Sequence, residues 1–407
     1  MKELDESLAK TLEKASDKRS ENVYEAAIEF VWKGIVDIPI VVETRMKPHL
    51  ILLILLTFFC VFPEHSFGQS DSATESLFPV KVGNFYGYIN SRGELIIKPR
   101  FDSASKFHNG LALVRTGGHD VEISEGIMER LGGKAGYVDK SGKFVIPPVY
   151  DLANDFSEGL AAVWLDTPCD RSCYGYIDTT GKIAIPQKYQ TAGTFHEGTA
   201  DVRMADDNWG VIDRNAKFII PPKYDGVFPF YDGIGIAIKT LNKKASPFDQ
   251  ELAAFAVEFY DTSGNVVAKP SYFVFGLFEN GLVDIITKSG SGFVDKNGNI
   301  AIAPTFEKTR GFSEGLAPVR VNHKWGYIDV GGKFMIDAKF DDAGIFKEGL
   351  APVTQGAKEG FIDKSGTFVI PLADWIVYPF ENGLAFVTQK DSVGYIDKKG
   401  RFVWKTN

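Results

Sequence analysis

Cys169 and Cys173, in the stretch DTPCDRSCYG, are the residues of this chain most able to do covalent chemistry. In an oxidising compartment they would close a small disulfide loop. In a reducing one they would stay as thiols or hold a soft metal. A C-x3-C ring is short, so loop-closure entropy would add little stability.

Turns of the form Asp-x-x-Gly come next, because DKNGN at 295–299 has the look of a calcium loop. Such a loop needs several oxygen ligands at fixed offsets. Here a cation stands inside the turn instead: Lys296, with Lys140, Arg214 and Lys364 in other copies. A structural turn is the better reading. His108, His119, His196 and His323 are scattered and offer no zinc spacing. His108 and His196 share the variable place of a recurring Phe-x-x-Gly segment, and Glu158, Glu197, Glu314 and Glu348 recur beside it. An acid–base pair needs its own mutual geometry, whereas periodic carboxylates suggest a surface stripe. No catalytic, metal or cofactor site is expected.

The elements that carry these residues repeat. A glycine-centred core returns as YGYINSRG, AGYVDKSG, YGYIDTTG, WGVIDRNA, SGFVDKNG, WGYIDVGG, EGFIDKSG and VGYIDKKG. Its glycines are Gly87, Gly136, Gly175, Gly210, Gly292, Gly326, Gly360 and Gly394, and Glu258 takes the place in a ninth, irregular copy. Segments such as FIIPPKYD follow, then closures such as FSEGLAPV. Repetition on this scale decides the architecture. Asp-x-x-Gly suits a tight hairpin, with glycine taking the left-handed place. Ala216 stands there once, so that turn should be strained or of another type. Glycine within a strand permits close approach of a neighbour. Pro148, Pro222 and Pro304 cannot extend a central ladder and mark an edge or exit. Phe101, Tyr150, Tyr189, Tyr224, Phe306 and Phe340 follow, placed to fill the core between units.

These motifs closely resemble the WG-repeat, or KWG-type, family over about residues 77–407, with occasional Trp-Gly pairs at Trp209-Gly210 and Trp325-Gly326. The resemblance implies a bacterial, often exported repeat protein and names no common activity. Tyr, Ala, Ser, Glu or Val replaces the tryptophan in most copies.

The expected fold is all-β: nine units of about three short antiparallel strands, the last unit truncated. A unit of this length is short for a propeller blade, and nine exceeds the usual number. No terminal element is evident to seal a ring. An elongated, solenoid-like or superhelical array is therefore expected, with a β-propeller as the alternative.

Upstream, Lys47 precedes the apolar run Leu50–Phe62, and small and polar residues follow near Gly68. Residues 46–68 thus have the anatomy of a signal peptide, too short for a spanning helix. Residues 1–45 form an extension whose translation is open, since Met46 would serve as a start. Export to the periplasm, the outer envelope or the exterior is expected, with membrane contact only through this segment.

The 407 residues carry a net charge of -8, which argues against a nucleic-acid binder. Functional variation should sit in three insertions, 115–134, 166–173 and 240–255. Trp164, Trp209 and Trp325 could stack on sugars, although tryptophans at a repeat position more often pack between units. The sequence points to a non-catalytic interaction or scaffold protein of the cell envelope whose partner is a protein. The alternative is a module that binds polysaccharide or peptidoglycan.

Overall fold

A computed structural model describes residues 76–124, 127–164, 174–241, 255–390 and 392–406, and its regular structure is all β-strand. The extension 1–45, the segment 46–68, and Cys169 and Cys173 lie outside the described residues.

The strands form nine consecutive antiparallel sheets. Blade 1 contains β1 (Leu77–Val82), β2 (Phe85–Asn90) and β3 (Leu95–Phe101). Blade 2 contains β4 (Ser103–His108), β5 (Leu111–Ser124), β6 (Ile127–Asp139) and β7 (Phe144–Tyr150). Blades 3 to 9 keep four strands, over residues 152–189, 191–224, 226–268, 273–306, 308–340, 342–373 and 376–405. Among the described residues, the expected three strands per unit are therefore four in blades 2 to 9, and three are described in blade 1. The missed one is the opening strand, only two residues long in blades 3, 4, 7, 8 and 9. A two-residue strand leaves no periodicity to read.

The repeat core Gly-Tyr-Ile-Asp is the third strand of a blade, and Ile-Pro-Pro-x-Tyr is the fourth. In blade 7, Trp325 pairs with Phe340 and Tyr327 with Ile336, so the fourth strand bulges between them. Gly326 faces that bulge: a Cβ there would lie 2.5 Å from the Ile336 carbonyl oxygen. At all eight repeat glycines the nearest backbone atom would stand 2.3–2.8 Å away. Close approach of backbone is what the glycine permits. In blade 5 the fourth strand is only Val266–Ala268, paired no further than Phe259, and Glu258 stands in the glycine's place. Bulge, proline and basic residues together blunt the outer edge strand against pairing with another sheet. Gly326→Ala should accordingly destabilise by about 1–3 kcal/mol through overpacking. Gly349, whose Cβ would meet open space at φ +82°, should lose only about 1 kcal/mol on the same change. Denaturant unfolding of both variants checks the order.

Each sheet is apolar on both faces. Leu111, Tyr137, Ile146 and Tyr150 of blade 2 pack against Phe156, Ala161, Val163 and Ile177 of blade 3. Ala112, Val114 and Val138, on the other face of blade 2, pack back on Tyr88, Ile97 and Phe101 of blade 1. The tyrosines and phenylalanines expected between units are all buried there. Asp-x-x-Gly forms the hairpin from third to fourth strand, and Ala216 adopts the same turn at φ 61°. It is the glycine turn, held in a strained conformation.

The array is closed, not open. Phe78, Val80 and Ile89 of blade 1 form one buried cluster with Leu384 and Tyr395 of blade 9. The Phe78 and Tyr395 rings lie 5.4 Å apart, and the Tyr395 hydroxyl donates to the Pro79 carbonyl at 3.1 Å. Lys106 of blade 2 pairs with Glu381 of blade 9. The solenoid-like or superhelical expectation is thus overturned: the protein is a nine-bladed β-propeller. Two-faced apolar sheets explain it, because an open stack would leave the outer faces of blades 1 and 9 in water. Among the described residues the ends of the array meet through side-chain packing and the Tyr395–Pro79 hydrogen bond, contacts that leave no motif in the sequence.

Candidate functional site

The recurring carboxylates occupy the hairpin between the first and second strands. Glu158, Glu197, Glu314 and Glu348 have φ of 51°, 47°, 52° and 52°, each followed by a left-handed glycine. Two successive residues with positive φ make the turn that matches strand twist, for which Asn-Gly is the favoured pair. Glutamate is costly here, yet its side chain has a task. The Gly198 amide donates to Glu158 at 2.9 Å, Gly233 to Glu197 at 2.8 Å, Gly349 to Glu314 at 3.1 Å and Gly383 to Glu348 at 3.1 Å. Every one of these bonds joins a blade to the next.

The turn cations complete the clasp. Arg214, Lys364 and Lys398 donate to the carbonyl oxygens of Glu158, Glu314 and Glu348 at 2.8, 2.8 and 3.0 Å. Lys364 and Lys398 also pair with the Glu314 and Glu348 carboxylates at 3.2 and 3.0 Å. The expected surface stripe is therefore a set of interblade clasps. The cation that argued against calcium binding has a structural role of its own. A constant offset of 50 residues between each Glu and its Lys was the available signal. Glu348→Ala should lower stability by about 1 kcal/mol, since half-exposed ion pairs contribute little beyond their hydrogen bonds. Lys398→Ala in the same background should then cost only its remaining hydrogen bond to the carbonyl of residue 348, about 0.5–1 kcal/mol, as a double-mutant cycle by denaturant unfolding would show.

The histidines are not brought together. His196 Nδ1 sits 2.8 Å from the Phe230 carbonyl oxygen and the ring stacks on Tyr231 at 3.7 Å. His108 lies beside Asp155, His323 beside Glu307, and His119 is exposed on blade 2. Among the described residues no group of three or more His, Cys, Asp or Glu gathers as a metal site. Trp325 is buried under the Arg310 guanidinium at 4.4 Å, while Trp209 and Trp164 are half-buried. Trp325 is thus a core residue, unavailable for stacking on a sugar.

Buried acids are what sequence reasoning missed. Asp201 and Asp284 stand in second strands at a place held elsewhere by Ala162, Pro318 or Pro352. Burial pushes the Asp201 carboxyl up to about 6 and that of Asp284 up to about 7. Burial also raises Glu279 to about 7. An acid at an otherwise apolar repeat position was the overlooked sign.

The insertions share one place in the fold. Residues 115–134, 166–173 and 240–255 all fall at the connection between second and third strands, in blades 2, 3 and 5. The strand ends that flank them therefore open on the same face. Elsewhere this connection is a short turn, such as Asn322-His323 in blade 7. In blade 2 the insertion is regular: β5 and β6 stay paired as far as Ser124 with Ile127. Eight residues beyond Thr116 carry the ribbon roughly 25 Å past the blade, at strand rise. The other two insertions lie largely outside the described residues.

The family of WG containing repeats matches residues 86–118, 136–164, 174–207, 209–244, 292–325, 325–358 and 360–391. Together these segments cover more than half of the chain. The chain belongs to the WG-repeat family. The copy with Glu258 falls in the gap between matched WG repeats, in keeping with its irregular fourth strand. A search of curated proteins finds no match. Among solved structures, this WG-repeat protein is similar to the computationally designed Ika8 protein, at TM-score 0.38 and 10% identity over 72% of this chain and 95% of that one. It is similar to BamB from Moraxella catarrhalis at TM-score 0.35 and 9% identity, over 80% and 92% of the two chains. Sqt1 from Saccharomyces cerevisiae gives TM-score 0.35 and 12% identity, over 61% and 79%.

Proposed function

We propose that this WG-repeat propeller is a non-catalytic scaffold of the bacterial cell envelope. It binds a protein partner through the face that carries the connections of blades 2, 3 and 5. The observation that carries this reading is the blade 2 ribbon. A two-stranded hairpin alone in water is at best marginally stable, and a ribbon that extends past its sheet suits one that a partner covers. The recurring polar groups are taken up by clasps and turns, which supports a holding rather than a reacting role. Export rests on the segment 46–68, and protein rather than glycan on the burial of Trp325. No helix among the described residues is long and apolar enough to cross a membrane.

Affinity capture from envelope extracts tests the reading. The native chain should retain a protein partner. A variant with 118–132 replaced by an Asn-Gly turn should lose it while unfolding at the same denaturant concentration. Undiminished capture by the trimmed variant would reject the ribbon face. Retention on purified cell-wall polysaccharide alone would favour the glycan-binding alternative.

A further inference from the structure

Blade 5 breaks the repeat at two places, and both breaks point at one atom. Its third strand, Phe255–Asp261, carries Glu258 where every other blade has glycine, and Tyr260 where every other has isoleucine or valine. Residues two apart on a strand share a face. Here both side chains meet the hydroxyl of Tyr224, which ends the fourth strand of blade 4, Phe218–Tyr224.

Three oxygens converge at this joint. Both hydroxyls donate to Glu258 Oε2, that of Tyr260 at 3.0 Å, and they also touch each other. Two phenols bring two protons to three contacts, so one edge of the triangle has no proton in it. Tyr224 and Tyr260 are buried, 3% and 4% exposed. Among the described residues neither hydroxyl has another partner. Lys269 pairs with the other carboxylate oxygen, Oε1, at 2.6 Å and stands on the solvent side. The other blades pack an aliphatic side chain at the place of Tyr260, so cohesion between blades does not call for such a triad.

We propose that Tyr224, Tyr260 and Glu258 form a tridentate site for a hard trivalent cation, ferric iron. The donors are all oxygen, a set that suits hard ions rather than soft ones. Phenol keeps its proton to about pH 10, so a strongly charged cation is needed to displace it, as bound metal ions do with thiols. Tyrosine serves as an iron ligand in haem proteins on the same ground. A small ion at about 2.0–2.1 Å from octahedral oxygens holds neighbouring ones about 3 Å apart, and the Tyr260–Glu258 pair is already at that spacing. On binding, each phenol releases its proton to solvent and bonds iron through the oxygen lone pair, while the metal stays ferric. Two phenolates and one carboxylate balance its three charges, and water fills the remaining positions. The site is independent of the blade 2 ribbon and of any partner held there.

The full chain, freed of metal with a chelator and titrated with ferric nitrilotriacetate, tests the proposal. One equivalent should produce the visible phenolate-to-iron absorption band and raise the denaturant midpoint. Tyr260→Ile and Glu258→Gly install the residues of other blades, and Tyr224→Phe the phenylalanine that holds this place in blades 1, 6 and 7. These variants should therefore fold. Each tyrosine variant should lose about half of the band, each of the three should bind about tenfold or more weakly, and the two tyrosine changes together should abolish the band. Calcium should leave the midpoint where it is. The proposal is overturned by a native chain without the band, by a band that survives in the double tyrosine variant, or by an equal stabilisation with calcium. Variants destabilised to the same extent with and without iron would also overturn it, since the triad would then only join the blades.

Discussion

Phe78→Ala should cost about 3–5 kcal/mol of unfolding free energy, the range for deleting a buried phenylalanine. The side chain is buried at the only joint that must form between the two ends of the array, against Leu384 and Tyr395. Five buried side chains meet there, and at about 1.5–3 kcal/mol each their burial is on the order of 10 kcal/mol, an upper figure. Net stabilities are of that size. Loosening this joint therefore exposes two apolar sheet faces at once. Denaturant unfolding should show the loss, and small-angle scattering should show a larger radius of gyration before the main transition. Phe402→Ala is the control: that ring is 40% exposed on an outer strand, and its loss should cost roughly 1 kcal/mol. Equal losses in the two variants would mean that closure carries no special weight.

Asp284→Asn should stabilise the protein at pH 8 by about 2–4 kcal/mol and leave it nearly unchanged at pH 4. Burial raises the Asp284 carboxyl to about 7 in the folded state, and its Oδ1 has no hydrogen-bond partner. The unfolded chain releases the same proton near pH 4. Between those values the folded state binds the extra proton, so stability falls as pH rises through the window. Below it both states are protonated and the cost vanishes; above it the cost is complete. Asp201, at about 6, and Glu279, at about 7, act with the same sign. The native protein should therefore unfold at lower denaturant concentration at pH 8 than at pH 5.5, with a shallower dependence in the variant. The same difference between variant and native protein at pH 4 and pH 8 would refute the assignment to this carboxyl.

Local rules were legible because each acts within a few residues. Asp139 to Gly142 and Asp363 to Gly366 read as hairpins, and they are, since aspartate caps the turn and glycine takes positive φ. Gly326 read as a close approach, which the opposing backbone requires whatever the rest of the fold does. Tyr150 and Phe340 read as core between units from their spacing alone. The family itself was legible in the same motifs.

What the sequence by itself determined, then, is most of the blade: three of its strands, its turns and the rings between units, all set by contacts within one or two repeats. Whether nine such blades stack openly or close was decided only in three dimensions. The contacts that close the ring join Phe78 to Tyr395 and Lys106 to Glu381, pairs with no neighbouring signal in the chain. The same holds for Glu348 and Lys398, which look like solvated charges until the next blade is in place. Closure depends on the angle each blade adds, and that angle comes from how the rings of one sheet seat on the next, a property of packing rather than of any residue pattern.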